Sequence, residues 1–593
     1  MPGFTTRPVF MGTHGVVAAG HYLAATAGLR MLERGGNAID AGVAAGFALN
    51  VLKPQSNGIG GEAPILIWLA DQQRAVAING QGTAPRRATI RWFREQGIEL
   101  IPGDGLLPAT VPAAFGAWVT ALMVGGRLRL QDVLEPAIEL AESGFPMYPA
   151  LRAAIQRQEQ RFRTEWPSSA EIYLPGGRVP QLGEVFRQTD WANTFKQAIE
   201  VERREAHRGR EAALQAALDW FYKGPVAERI GRFAQETTVR DATGRAHRGL
   251  LTYEDLVSFQ TKIEDPITVT YRGITVCKCN TWSQGAVFLQ QLTLLEGYDL
   301  CRLGHNSADY IHTVVEAAKL AFADREQYYG DPNFVRVPLD RLLSKEYAAE
   351  RRRLIDPDRA SLEFRPGDAP PTMPVRPTDM AADEEAARLR GDIYVGDHGG
   401  DTTHLDAIDV WGNMMAATPS GGWMPSSPVV PGLGFPLGTR GQMFWLDEAK
   451  PNALMPGKRP RTTLSPSLAL RAGRPYLAFG TPGGDFQDQW TLQFFLNVVD
   501  FEMDLQEACD APTFHIRHFP SSFYPRTMYP GQVVIETRVP AVVLDELRAR
   551  GHEIVLTGEW ANGQVTAIRF NPDTGVIEGA ASPRGQTAYV IGW

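Results

Sequence analysis

Residues 399–423 constrain the fold more than any other stretch of the chain. A Gly399-Gly400 pair precedes Asp401-Thr402-Thr403-His404, and a strict alternation follows. Leu405, Ala407 and Asp409 share one face of a predicted strand; His404, Asp406, Ile408 and Val410 share the other. Trp411-Gly412-Asn413 supplies turn chemistry, and residues 414–417 read as the return strand of a hairpin. A sheet must therefore form here, with polar side chains at its head. On these residues alone two readings of that head stay open. Thr402 and Thr403 are ordinary residues for the start of a strand. Alternatively, a cut before Thr402 would give it a free α-amine beside its own hydroxyl. With an ordinary pKa of about 7.7–8.0, that amine is a usable base, so one residue would carry both nucleophile and base.

The chain of 593 residues exceeds one ordinary core, so several lobes or one large layered domain are expected. Hydrophobic content of 44% and charged content of 21% are those of a globular protein. A net charge of −8 with interspersed signs and no basic run gives no reason to expect a nucleic-acid partner. No apolar run approaches the roughly 20 residues of a membrane span. The first residues lack the charged-then-apolar order of a signal peptide, so a cytoplasmic location is expected. Cys277, Cys279, Cys301 and Cys509 form neither a disulfide framework nor paired metal-binding motifs, and reduced thiols are expected. His515-Ile516-Arg517-His518 lacks an acidic third ligand nearby, and there is no Gly-x-Ser-x-Gly elbow. No metal or cofactor is called for.

In chain order, helices are predicted over 21–33 and 41–52, with Gly35-Gly36 between them and Asn37 or Asp40 as a cap. Gly58-Ile59-Gly60-Gly61-Glu62-Ala63 half-matches a dinucleotide fingerprint. A helix precedes it and a strand over 64–69 follows, the reverse of what that fingerprint needs, so nucleotide binding is rejected there. Helical periods recur over 112–123, 130–143, 198–222 and 307–328, and Thr252-Tyr253-Glu254-Asp255 has a capping signature. Strands are predicted over 266–271 and 274–277. From about 362 to 401, several prolines and the acidic Asp383-Glu384-Glu385 read as a mobile linker that would tolerate a cut. Beyond it the chain is strand-rich, with hairpins over 465–480 and 564–579 and a closing strand over 587–591. This order of elements predicts a layered α/β sandwich.

Several ordered motifs resemble the γ-glutamyltranspeptidases: the block 33–41 (ERGGNAIDA), Asn57-Gly58-Ile59-Gly60-Gly61, the block 132–141 (DVLEPAIELA), Tyr271-Arg272-Gly273, Leu295-Glu296-Gly297-Tyr298, the block 458–466 (KRPRTTLSP) and Gly480-Thr481-Pro482-Gly483-Gly484. The resemblance covers nearly the whole chain and implies the four-layer αββα sandwich of N-terminal-nucleophile hydrolases. It implies self-cleavage at Asp401–Thr402, giving a large subunit of 401 residues and a small one of 192 (593 − 401). Whether such pairs dimerise stays open. Thr402 would be the nucleophile and Gly483 and Gly484 the oxyanion hole. Ser420, or Thr418 two residues earlier on the same face, would place a hydroxyl against Thr402. Thr403, Gln442, Thr462 and Thr463 match substrate-contacting positions of the family, although the last two could equally be polar groups of a core strand.

Departures from the family pattern bear on substrate. The arginine that holds the glutamyl carboxylate is matched by Gln81, the acid that holds its amine by Trp445, and a hairpin asparagine by Gly422. A neutral amide cannot replace a bidentate guanidinium clamp at equal strength. The expectation is therefore an amidohydrolase acting on a small amide, resembling the acylase-like branch that includes oxamate amidohydrolases and cephalosporin acylases. A true γ-glutamyltransferase is the alternative. Arg461 is the first candidate for a replacement carboxylate anchor, with Arg459 and Arg440 behind it; a solvated surface arginine is the plainer reading of each.

Overall fold

The computed structural model describes residues 4–368 and 402–593. Asp401 and all but the first seven residues of the stretch read as a linker lie outside the described residues.

Two seven-stranded sheets organise the molecule. One runs in the order Phe10–Gly12, Val576–Ala581, Thr566–Asn571, Arg474–Gly480, Ser467–Arg471, Ile274–Lys278, Ile267–Tyr271. The other runs Tyr589–Gly592, Gly15–Ala19, Leu405–Asp409, Met414–Ala417, Ile65–Leu69, Arg74–Asn79, Lys262–Glu264. Every neighbouring pair in both sheets is antiparallel. Strands from before and after residue 402 share both sheets. The predicted hairpin is central to the second, with Leu405 opposite Ala19 on one side and Ala417 on the other.

Side-chain alternation then builds four layers. Leu405, Ala407, Met415 and Ala417 pack with Ile65, Ile67 and Val17 under the helices Tyr22–Glu33, Ala38–Leu52 and Ala114–Gly125. Ile408, Met414 and Ala416 point the other way, meeting Leu468, Ala478, Ile568 and Phe570 of the opposing sheet. The far face of that sheet, through Ala469, Leu477 and Phe479, is covered by the helices Ala286–Leu295, Ala308–Tyr328 and Gln487–Val499. The αββα sandwich expected from the family resemblance is the observed fold.

Local chemistry fixes how the hairpin sits. Asn37 caps Ala38–Leu52 with a full capping box to Asp40, so this helix begins three residues before the predicted position 41. Asp409, on the helix side of the hairpin, accepts from the Ala38 backbone N–H at 2.8 Å and places its carboxyl at the helix N-terminus. Gly42 leaves room for Met415, whose sulfur would lie 2.5 Å from a Cβ there. The predicted helix over 198–222 is instead two helices, Thr189–Glu205 and Arg210–Tyr222. Gly209, at φ +100°, turns the chain between them.

Candidate active site

Thr402 heads the strand Leu405–Asp409 on the same side as Asp406 and Ile408, so alternation carries it onto the face between the two sheets. It is 3% exposed, and its Oγ1 lies 3.0 Å from Ser420 Oγ. Ser420 is held in place by a two-way backbone bridge with Glu62, both N–H···O distances being 2.9 Å. That bridge explains the glycines once weighed as a nucleotide fingerprint. A Cβ at Gly60 would lie 1.8 Å from the Pro436 carbonyl oxygen, and one at Gly61 would lie 2.2 Å from that of Ser420. Only bare backbone lets residues 58–62 lie against the strand end that carries Ser420.

Behind Ser420 is a buried ion pair. Arg440 Nε donates to Glu62 Oε1 in a short contact, and Arg440 Nη2 donates to Ser420 Oγ at 2.5 Å. Burial pushes the Glu62 carboxyl up, and the Arg440 charge opposes that shift. Arg440 Nη1 is buried and donates to no protein atom among the described residues. The guanidinium carbon sits 4.9 Å from the Trp423 ring centre and 5.6 Å from that of Phe523.

Phe523 links this pair to the second half of the site. At Gly484 a Cβ would come within 2.9 Å of the Phe523 ring. Gly483, at φ +121°, would drive a Cβ to 2.2 Å from Trp490, so no other residue fits there. The turn Gly483-Gly484 feeds the helix Gln487–Val499, and its backbone N–H groups lie at the positive end of that helix. Asp485 anchors the turn: its buried carboxylate accepts from the Arg325 guanidinium and from Ser522 at 2.8 Å (N–H) and 2.6 Å (O–H).

Other residues singled out by sequence fall elsewhere. Thr418 does not face Thr402; its Oγ1 lies 2.8 Å from His404 Nδ1, and His404 Nε2 lies 2.9 Å from Asp406 Oδ1. Thr566 donates to the other Asp406 oxygen at 3.0 Å, which closes a buried polar chain along the strand that Thr402 heads. Thr403 points to the opposite face, against Gly20. Gln442 spends its side chain on the Gly103 carbonyl (3.1 Å) and the Tyr524 N–H (3.1 Å). The Gln81 amide makes only a long local contact to the Gly82 carbonyl, at 3.5 Å, and its Oε1 is buried without a hydrogen-bond donor among the described residues. Thr462 pairs through its backbone with Trp282 and Gln284, and the Thr463 hydroxyl is buried beside it.

Arg461 requires a correction. It is neither a surface residue nor an open anchor. Nη2 is bound to Glu326 at 2.6 Å and Nη1 to the Arg325 carbonyl at 3.0 Å. Although burial pushes the Glu326 carboxyl up, Arg461 and Arg325 together hold it below its usual range, so the charge of Arg461 is already matched. Arg459 likewise donates to the Gln81 and Gln260 carbonyls, both at 3.0 Å. At the acid's expected position, Trp445 stacks on Arg526 at 4.0 Å. Gly422 has no room for the family's asparagine: a Cβ there would lie 2.6 Å from the Gly61 nitrogen.

Sequence reasoning placed Arg440, with Arg459, behind Arg461 and missed Glu62, Trp423 and Phe523. Glu62 was readable only as part of a glycine motif, and Phe523 lies 121 residues beyond Thr402 (523 − 402) with no local pattern. Among the described residues His312, Glu316 and His552 also converge. Glu316 is already paired with Lys319 (2.6 Å) and Arg365 (3.1 Å), and the two histidines bond each other at 2.8 Å, which accounts for the cluster without an ion.

Residues 24–592 match the family model described as gamma-glutamyltranspeptidase. The chain is 34% identical over 582 residues to the "Acylase ACY 1 proenzyme" of Pseudomonas sp. (strain SE83), covering 96% of this chain and 92% of that protein. Among solved structures, LmbA2991HD superposes with a TM-score of 0.92 at 45% identity, covering 100% of both chains. A cephalosporin acylase from Bacillus halodurans superposes at 0.83 with 32% identity, covering 100% of this chain and 98% of the other.

Proposed function

The chain belongs to the gamma-glutamyltranspeptidase family and is an enzyme of amide-bond chemistry; from that premise we infer that it is a self-processing N-terminal threonine amidohydrolase. In the precursor, Thr402 Oγ1 attacks the Asp401 carbonyl. Water then hydrolyses the resulting ester, leaving a carboxylate on Asp401 and a free amine on Thr402. Large and small subunits thus come from one chain, as in relatives named proenzymes. In turnover, Oγ1 attacks the amide carbon of a small acyl-amide while its proton passes to the α-amine. The oxyanion develops toward the Gly483-Gly484 turn, where each backbone donor is worth about 2.7–4 kcal/mol. The leaving amine takes the proton back, and water releases the acyl group by the same steps.

The observation that carries this reading is the buried 3.0 Å contact of Thr402 Oγ1 with Ser420 at the head of the hairpin. Ser420 fixes the rotamer of the nucleophile, and Arg440 fixes Ser420. Nothing observed favours γ-glutamyl transfer: Gln81, Trp445 and Gly422 stand where its clamp would be. The test is the intact mass of the purified protein beside a Thr402→Ala variant. Two chains meeting at Asp401–Thr402 in the wild type, with an uncut variant, are expected. Two uncut proteins would remove the amine base and the enzyme reading with it.

A further inference from the structure

Resting on the amidohydrolase reading, we propose that Lys278 and Asp488 are positioning residues, a buried ion pair that sets where the Gly483-Gly484 turn stands relative to the Thr462-Thr463 segment. The pair acts through the backbone on either side of it, not by touching substrate.

Lys278 ends the strand Ile274–Lys278. Val276 packs under the helices that cover this sheet and Cys277 packs against the opposing sheet, so alternation aims Lys278 at the helices. Its side chain is fully buried, with Nζ 4.3 Å from the centre of the Phe288 ring. The ammonium donates to Ser467 Oγ at 2.8 Å and to Ser465 Oγ and Asp488 Oδ1 at 2.9 Å each, which uses all of its protons. Ser465 Oγ in turn donates to the same carboxylate oxygen at 2.6 Å. Asp488 is the second residue of the helix Gln487–Val499, which the glycine turn feeds. The first, Gln487, accepts from the Ser465 backbone N–H at 3.0 Å. One ammonium and one serine therefore fasten the helix after the oxyanion turn to the segment after Thr463.

Stability does not account for a charge pair in this place. Taking two ions out of water costs about what their attraction returns, so apolar side chains of similar volume commonly fill such a slot without loss. Burial pushes the Lys278 pKa down, against the pull of Asp488. The second Asp488 oxygen is buried with no donor among the described residues, which adds to the cost. What the pair supplies is direction, because a carboxylate held by an ammonium and a hydroxyl has one position. Gly483 and Gly484 have no side chains with which to hold themselves, and a misplacement of about 1 Å costs about 10²-fold in rate. Arg325 and Ser522 fix the turn at Asp485; Lys278 and Ser465 fix its helix at Asp488.

The test compares the mature wild type with Lys278→Met/Asp488→Leu, which puts apolar side chains in place of the pair. Both proteins are followed by intact mass, urea denaturation and steady-state hydrolysis of 4-nitroacetanilide and 4-nitrophenyl acetate, an amide and an ester of one acyl group. The double variant is expected to fold and self-process with a urea midpoint no lower than that of the wild type. Its kcat should fall about 10–10²-fold while KM stays within about threefold, because oxyanion donors act in the transition state. Lys278→Met alone strands a buried carboxylate, so its urea midpoint should fall as well. If the double variant does not fold or self-process, Ser465→Ala decides: it keeps both charges, and kcat should fall about three- to tenfold at unchanged KM. An unchanged kcat, or a loss expressed in KM alone, would overturn the proposal and leave the amidohydrolase reading intact. Turnover of neither probe by the wild type, with no acetyl adduct on its small chain, would instead overturn that underlying reading.

Discussion

Arg440 and Arg461 lie in the same protein, each about 1% exposed and each paired with a buried glutamate, yet their remaining nitrogens are used differently. Arg461 has two of its nitrogens filled, by Glu326 and by the carbonyl of Arg325, the residue whose side chain holds Asp485. Arg440 is held by two nitrogens and keeps the third, Nη1, without a protein acceptor among the described residues, beside the Ser420 hydroxyl that touches Thr402. The difference lies in the donor left over once the fold has taken its share.

The sharpest way to break this comparison is to remove the Arg461 guanidinium. Arg461→Met should lower unfolding stability by about 3 kcal/mol, because Glu326 loses one of its buried partners. Urea denaturation would show this. An unchanged urea midpoint would contradict the pairing of Arg461 with Glu326. Gly483→Ala comes next: a Cβ 2.2 Å from Trp490 must shift the Gly483-Gly484 turn, and if that turn holds the oxyanion kcat should fall about 10²–10³-fold with processing also slowed. Gly422→Asn restores a family residue where a Cβ would press on the Gly61 nitrogen. It should cost about 1–3 kcal/mol of stability by overpacking and give no γ-glutamyl 4-nitroanilide activity.

The last effect concerns pH and lies away from both arginines. His518 accepts from the Gly531 N–H at Nδ1 (2.9 Å) and donates from Nε2 to the Glu363 carbonyl (3.0 Å), an arrangement that needs the neutral ring. Burial, with a smaller contribution from Lys319, holds its pKa down to about 3. The unfolded chain binds this proton near pH 6.5 and the folded one does not. Stability from His518 is therefore complete above pH 6.5 and falls as pH drops toward 3, by up to about 1.4 kcal/mol per pH unit. Urea midpoints measured at pH 7, 6 and 5 should decline, and His518→Gln should flatten the decline.

Much of the fold was legible because local signals agreed with one another. The alternation of residues 404–410 correctly put Leu405, Ala407 and Asp409 on one face, which proves to be the helix side, and Thr252 caps its helix with Asp255 as its spacing predicts. The break at Gly209 was not legible, since 198–222 is amphipathic throughout and only backbone conformation reveals the turn. For the site, the hairpin led to Thr402 and the contact with Ser420. Arg440 could not be ranked above Arg461 because pairing is decided by Glu62 and Glu326, which lie far from them in sequence. The roles of Gly60 and Gly61 likewise depend on carbonyl oxygens contributed from beyond residue 402.

One measurement reaches the nucleophile directly: rapid-quench intact mass of the small chain, residues 402–593, mixed with an excess of an acyl 4-nitroanilide that the enzyme turns over. An adduct equal to the acyl group should form within the first turnover, and fragmentation should place it on Thr402. An adduct on another residue, or steady turnover with an unmodified Thr402 at every quench time even under acid trapping, would contradict covalent catalysis by this threonine.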